Sequence, residues 1–69
     1  MNGDSKVKFA NNLRWLRTAK GLSQAQLGEQ VGVNQRTVSA WEKGISEPDL
    51  ETLELLCAVL EEDYNGLLG

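Results

Sequence analysis

The stretch Ser23–Lys43, SQAQLGEQVGVNQRTVSAWEK, carries the start and stop signals of two short helices. Ser23 and Gln26 have the spacing of a capping box, which begins a helix, and Gly32 is a typical helix-ending residue. Asn34 then begins a second helix as its N-cap. Only about three residues separate the two helices, so they must cross steeply, as in a helix-turn-helix unit.

Apolar residues beside the two caps indicate how these helices pack. Leu22 before the first cap and Leu27 after it have the spacing of a hydrophobic staple. Val33 and Val38 repeat that spacing at the second cap. Gly28 lies in mid-helix, where glycine costs about 1 kcal/mol relative to alanine. We therefore expect close approach by the third helix at Gly28, the alternative being a merely weak helix.

Three further helices are predicted around this unit. The first runs from about Ser5 to Lys20 and is ended by Gly21. Asp49 caps a fourth helix, and Asp63 caps a short fifth one. The chain lacks the alternating apolar pattern that is typical of a β-strand.

The predicted fold is therefore a single all-α domain of five helices over residues 1–69, with the helix-turn-helix at about 23–43. Apolar residues at helical spacing mark the faces that turn inward. Trp15 and Cys57 fall outside this set: Trp15 lies off the stripe of the first helix, and Cys57 is interpreted as a small core residue. The inward set is Phe9, Leu13, Leu16, Leu27, Val31, Val38, Trp41, Leu53, Leu56 and Leu60.

The composition excludes several classes of function. The chain has one cysteine and no histidine, so it cannot build a disulfide framework or a cysteine–histidine metal cluster. We expect no metal and no cofactor. An enzyme is not expected, because no nucleophile–base pair is visible. The longest apolar run, residues 55–60, is far too short to span a bilayer, and a cytoplasmic protein is expected.

Charge is distributed unevenly along the chain. Residues 1–46 carry all seven basic side chains and three acidic ones, a net charge of +4. Residues 47–69 carry seven acidic side chains and no basic one. A polyanion would therefore be attracted to the first two thirds and repelled by the last third. The acidic third also fits an ordinary solvated helix face.

Three segments together resemble the Cro/repressor (Xre-type) family, which includes the N-terminal domains of phage repressors. They are Leu13–Gly28 (LRWLRTAKGLSQAQLG), Val31–Asn34 (VGVN) and Val38–Gly44 (VSAWEKG). The resemblance extends from about Phe9 to Leu68. It implies a compact five-helix, lambda-repressor-like fold whose third helix lies in the major groove of double-stranded DNA.

The resemblance also implies roles for individual residues. Gln24, at the start of the second helix, would contact a phosphate. Arg17 and Glu42 would form a structural ion pair beneath the DNA-facing surface. The loop at residues 45–48 departs from some family members in carrying no basic residue. The base-contacting positions of the third helix would be Gln35, Arg36 and Ala40.

A helical wheel of the third helix agrees with these roles independently. Val38 and Trp41 define its buried side, and Arg36 and Lys43 point almost opposite. Arginine can contact guanine O6 and N7 bidentately, and glutamine can do the same with adenine N6 and N7. The full predicted DNA-binding set is Gln24, Asn34, Gln35, Arg36, Ser39, Ala40 and Lys43.

The sequence therefore predicts sequence-specific binding of double-stranded DNA by a transcriptional regulator, a repressor acting as a homodimer on a two-fold operator. One such domain contacts too few bases for tight binding, so dimerisation is expected. A phage repressor, a restriction controller, an antitoxin-type autoregulator and the N-terminal domain of a longer regulator all stay open. The alternative is a protein-interaction module that does not bind DNA, favoured by the acidic third. The predicted dimer patch is Leu55 and Val59 with Leu67 or Leu68.

Overall fold

The computed structural model describes residues 2–69 and contains five α-helices, with no strand in that range. This confirms the predicted all-α, five-helix fold. The first helix begins earlier than the predicted Ser5. The helices are α1 (Asn2–Ala19), α2 (Gln24–Val31), α3 (Gln35–Glu42), α4 (Leu50–Leu60) and α5 (Tyr64–Leu68).

The predicted helix caps are present. Ser23 Oγ accepts from the Gln26 amide at 3.0 Å, and Gln26 Oε1 accepts from the Ser23 amide at 2.8 Å. Gly32 ends α2 in the left-handed region at φ 80°, which glycine adopts without steric cost. Asn34 caps α3 by accepting from the Thr37 amide at 2.9 Å. These local bonds set the ends of α2 and α3, and Asp49 and Asp63 cap α4 and α5 in the same way.

Gly28 is needed for a close backbone contact. A Cβ atom at this position would lie 2.6 Å from the carbonyl oxygen of Val33 and 3.3 Å from that of Asn34. The prediction of close approach is thus confirmed in kind but wrong in its partner. The backbone that crosses Gly28 is the turn between α2 and α3 rather than the body of α3.

The core lies where α1, α3 and α5 meet the pair α2 and α4. Leu16 and Leu53 of the predicted inward set are only half-buried and pack at its edge. Leu67, a candidate for the dimer patch, is fully buried instead. α5 packs against α1, where Asn12 Nδ2 donates to the Leu67 carbonyl at 3.0 Å, and the Leu67 side chain is part of the core. The buried core residues are Phe9, Ala10, Leu13, Leu27, Val31, Val38, Trp41, Leu56, Leu60 and Leu67.

The acidic third is joined to the turn after α1 by an ion pair between Lys20 and Glu61. Lys20 lowers the pKa of the Glu61 carboxyl through this hydrogen bond. Cys57 packs at the edge of the core, and burial raises the pKa of its thiol. A raised pKa favours the neutral thiol, which agrees with the interpretation of Cys57 as a core residue.

Candidate nucleic-acid interface

A shallow groove of about 470 Å³ lies between the start of α2, the outer face of α3 and the loop that follows α3. It brings together six of the seven residues predicted to contact DNA. Its charged lining residues are both basic, so the groove suits an anionic or hydrogen-bonding partner. The lining residues are Gln24, Gln35, Arg36, Ser39, Ala40, Lys43 and Ile45.

The inner face of α3 holds this groove in place. Val38 and Trp41 are buried in the core, whereas Arg36 and Lys43 are exposed on the opposite side of the helix. The two sides differ because a helix repeats every 3.6 residues, which places i, i+3 pairs on one face. α3 therefore presents a rigid polar strip to solvent.

Asn34 is the one predicted DNA-contacting residue outside the groove lining. Its side-chain oxygen caps α3, where it accepts from the Thr37 amide and, at 3.1 Å, from the Thr37 hydroxyl. The residue is exposed at the turn. Its carboxamide nitrogen, which the cap does not use, is the atom that could donate to a phosphate.

Arg17 and Glu42 meet beneath the groove. Arg17 Nε donates to Glu42 Oε2 at 2.6 Å, and its second guanidinium nitrogen donates to Oε1 at 3.0 Å. A third Arg17 nitrogen donates to the Leu22 carbonyl at 2.7 Å. The Arg17 side chain is 12% exposed and that of Glu42 is 2% exposed. The hydrogen bond to Glu42 raises the pKa of Arg17, since it favours the charged guanidinium.

Gln24 connects the ion pair to the groove. Its Nε2 donates to Glu42 Oε1 at 3.2 Å, which orients the carboxamide at the start of α2. An amide nitrogen carries two hydrogens, so a second donor remains for another partner. In the described part of the chain, every buried side-chain nitrogen and oxygen has a hydrogen-bond partner.

Two residues that sequence reasoning did not single out belong to this region. Ile45 lines the groove with its side chain 67% exposed, just after the helix-ending Gly44. Arg14 Nε lies 3.9 Å from Glu42 Oε1. Arg14 lies three residues before Arg17, which places the two arginines on neighbouring positions of one helix face. This spacing is the feature of the sequence that could have indicated Arg14.

Among residues 2–69, the structure holds no cluster of three or more histidine, cysteine or acidic side chains arranged to bind a metal. None of the helices it describes combines the length and apolar character needed to cross a membrane.

Comparison with known proteins finds a family model described as helix-turn-helix (HTH_3) that matches residues 13–67. Over 63 residues the chain is 40% identical to the HTH-type transcriptional activator BcrR of Enterococcus faecalis. The matched region covers 91% of this chain and 31% of that protein. It is 40% identical over 48 residues to the cryptic phage CTXphi transcriptional repressor RstR of Vibrio cholerae, covering 70% of this chain and 43% of that protein.

Among solved structures, the chain is similar to the restriction-modification controller protein C.AhdI from Aeromonas hydrophila. The TM-score is 0.82 at 37% identity, and the match covers 90% of this chain and 94% of the other. The chain spans less than half the length of the two curated relatives above. One of them is named an activator and the other a repressor, so this type of domain occurs in regulators of both kinds.

Proposed function

The chain belongs to the helix-turn-helix family, and on that premise we propose that it binds double-stranded DNA sequence-specifically and regulates transcription. The observation that carries the proposal is the groove over α3, which gathers six of the seven predicted DNA-contacting residues on one side. α3 would lie in the major groove of the duplex, as the second helix of such a unit does. We also propose that the protein is cytoplasmic and that it has no enzymatic activity.

The chemistry of the lining residues supports separate roles. Gln35 and Arg36 are exposed in the first turn of α3, where their bidentate ends suit adenine and guanine respectively. Ala40, further along α3, offers only a methyl group, which suits contact with a thymine methyl. Gln24 and Lys43 lie at the edges of this strip, where donors and cations suit phosphates.

Selection of bound sequences from a pool of random duplexes tests the proposal. We expect enrichment of a two-fold-symmetric site, each half containing the adenine and guanine described above. Failure to enrich any duplex would favour the alternative of a protein-interaction module on the same fold. The matched control is a variant that removes both base-contacting ends, Gln35→Ala with Arg36→Ala, which should enrich no site.

We further propose that the chain acts as a repressor, with two copies occupying the two halves of an operator. Half-sites are centred about 34 Å apart along the duplex. The principal dimensions of the domain are 30 × 23 × 22 Å, so two copies at that spacing would contact each other over only a small area. Leu55 and Leu68 are 44% and 45% exposed and supply apolar surface for that contact. Occupancy of a promoter by such a pair would exclude polymerase.

The dimer prediction concerns cooperativity. The free domain should associate weakly or not at all, because the exposed apolar surface is small. Two copies should nonetheless bind the two-fold site cooperatively. Analytical ultracentrifugation with and without duplex measures both properties. Leu55→Ser should lower the cooperativity while leaving affinity for a single half-site unchanged. High-affinity protection of an asymmetric site by one copy would contradict the prediction.

The electrostatic prediction concerns Lys43. Each neutralised phosphate contributes about 0.9 to the slope of log affinity against log salt concentration, so binding should weaken steeply with salt. Lys43→Ala should make the slope shallower by about 0.9 without changing the preferred sequence. Fluorescence anisotropy at several KCl concentrations measures the slope, and Gln30→Ala on the exposed side of α2 is the neutral control. An affinity indifferent to salt would instead support the protein-interaction alternative.

A further inference from the structure

We infer that Arg14 and Gln24 form a phosphate clamp, defined by these two side chains, that is held in position by the buried carboxylate of Glu42. The inference rests on the proposed function and deepens it, because it adds a DNA-contacting residue on α1 and names its ligand. That ligand is a phosphate group of the duplex backbone. The base-contacting face of α3 takes no part in it.

Both members of the clamp approach the same oxygen atom. Gln24 Nε2 donates to Glu42 Oε1 at 3.2 Å, and Arg14 Nε lies 3.9 Å from that oxygen. The two residues come from different helices, α1 and α2, and converge only because Glu42 at the end of α3 lies between them. A single buried carboxylate oxygen thus lies near two donors, an exposed arginine and a half-buried glutamine.

The local charge leaves the Arg14 guanidinium without full compensation. Glu42 already accepts two short hydrogen bonds from Arg17, which neutralises its single negative charge. Among the described side chains, Glu42 is the only carboxylate within salt-bridge distance of Arg14. The cluster of Arg14, Arg17 and Glu42 therefore carries a net charge of +1. Because the Arg14 side chain is 68% exposed, this charge lies at the surface.

Phosphate is the ligand that fits this pair. Arg14 does not line the groove in which α3 presents its base-contacting side chains, but it approaches the Glu42 oxygen that the groove residue Gln24 also contacts, which places it beside that groove. An arginine fork matches the geometry of a phosphate, with two parallel N–H donors. Gln24 retains one amide hydrogen after its bond to Glu42, and this hydrogen can be donated to the same group.

A purely structural role for Arg14 is a poor explanation. Its separation from Glu42 is long, and an exposed ion pair of this kind contributes about 0–1 kcal/mol to stability. Arg17 already holds Glu42 bidentately, so fixing the fold does not require a second arginine. Removal of Arg14 should therefore change DNA binding and leave the melting temperature nearly unchanged.

The test compares Arg14→Ala and Arg14→Lys with the control Lys20→Ala. The control removes the same unit charge from the residue that directly follows α1, where the lysine is paired with Glu61 of the acidic third. Affinities are measured by fluorescence anisotropy at several salt concentrations, on the selected site and on a scrambled duplex. Circular dichroism gives the melting temperature of each variant.

We expect Arg14→Ala to lose affinity by the same factor, several-fold, on both duplexes and to lower the salt slope by about 0.9. Arg14→Lys should retain the slope and lose part of the affinity, since an ammonium keeps the charge without the fork. Lys20→Ala should change the slope less than Arg14→Ala. An unchanged slope and affinity in Arg14→Ala, with wild-type protein binding DNA normally, would overturn the clamp alone. Failure of the wild-type protein to bind any duplex would overturn the proposed function instead.

Discussion

Replacing Glu42 by alanine should lower the free energy of unfolding by about 3–5 kcal/mol, the cost of leaving one partner of a buried ion pair alone. Arg17 would keep a charge whose side chain is only 12% exposed, and water could not fully solvate it. Gln24 would lose its acceptor as well. A domain of this size buries only about 60% of its unfolded surface, so a loss of this magnitude would leave little folded protein at 37 °C.

Urea unfolding followed by circular dichroism measures this loss. Glu29→Ala, which removes an exposed acid from α2, is the matched control and should change stability by less than about 0.5 kcal/mol. The double variant Arg17→Met with Glu42→Leu should be more stable than Glu42→Leu alone, because it leaves no unpaired charge. Equal stabilities of Glu42→Ala and Glu29→Ala would show that the ion pair contributes nothing.

Replacing Arg36 by alanine should weaken binding to the selected site by about 1–3 kcal/mol, roughly fivefold to 150-fold, and relax the preference at one base pair. The expectation follows from its position: Arg36 is exposed in the first turn of α3 and lines the groove. Affinity for scrambled DNA should fall only slightly. Thermal stability should hardly change, because Arg36 is exposed.

The measurement is a pair of titrations, one on the selected duplex and one on a scrambled duplex. Lys43→Ala is the comparison variant, since it removes a charge from the same groove and should weaken both complexes alike. A similar uniform loss for Arg36→Ala would mean that Arg36 contacts a phosphate and not a guanine. The same experiment at the neighbouring residue, Gln35→Ala, should relax the preference for adenine at the adjacent position.

Both ends of α2 and the start of α3 followed from the sequence because capping acts over three or four residues. The capping box of Ser23 with Gln26, the Asn34 N-cap and the helix-ending Gly32 each depend on atoms close in the chain, and all three appear as predicted. The polar strip of α3 also followed from the sequence, since helical periodicity alone separates Val38 from the outward residues. Contacts over such short distances need no knowledge of the remaining chain.

Other features depended on which helices meet. Sequence periodicity places Leu67 on a helix face but does not name the neighbouring helix, and the packing of α5 on α1 is what removes Leu67 from the surface. The partner of Gly28 is the Val33 carbonyl in the turn, a contact that depends on how closely the turn crosses α2. The family resemblance implied the ion pair of Arg17 and Glu42, whereas periodicity alone does not specify it.

The convergence of Arg14 and Gln24 on Glu42 was decided by the tertiary structure alone. Gln24 is 18 residues from Glu42 in the chain, and Arg14 lies on another helix, so no local pattern relates the three. Ile45 and Gln24 likewise line one groove although they belong to separate parts of the chain, and no local pattern relates them. The sequence determines which side chains a helix offers on each face, through short-range bonds and periodicity. The packing of the helices determines which of those side chains share one buried carboxylate.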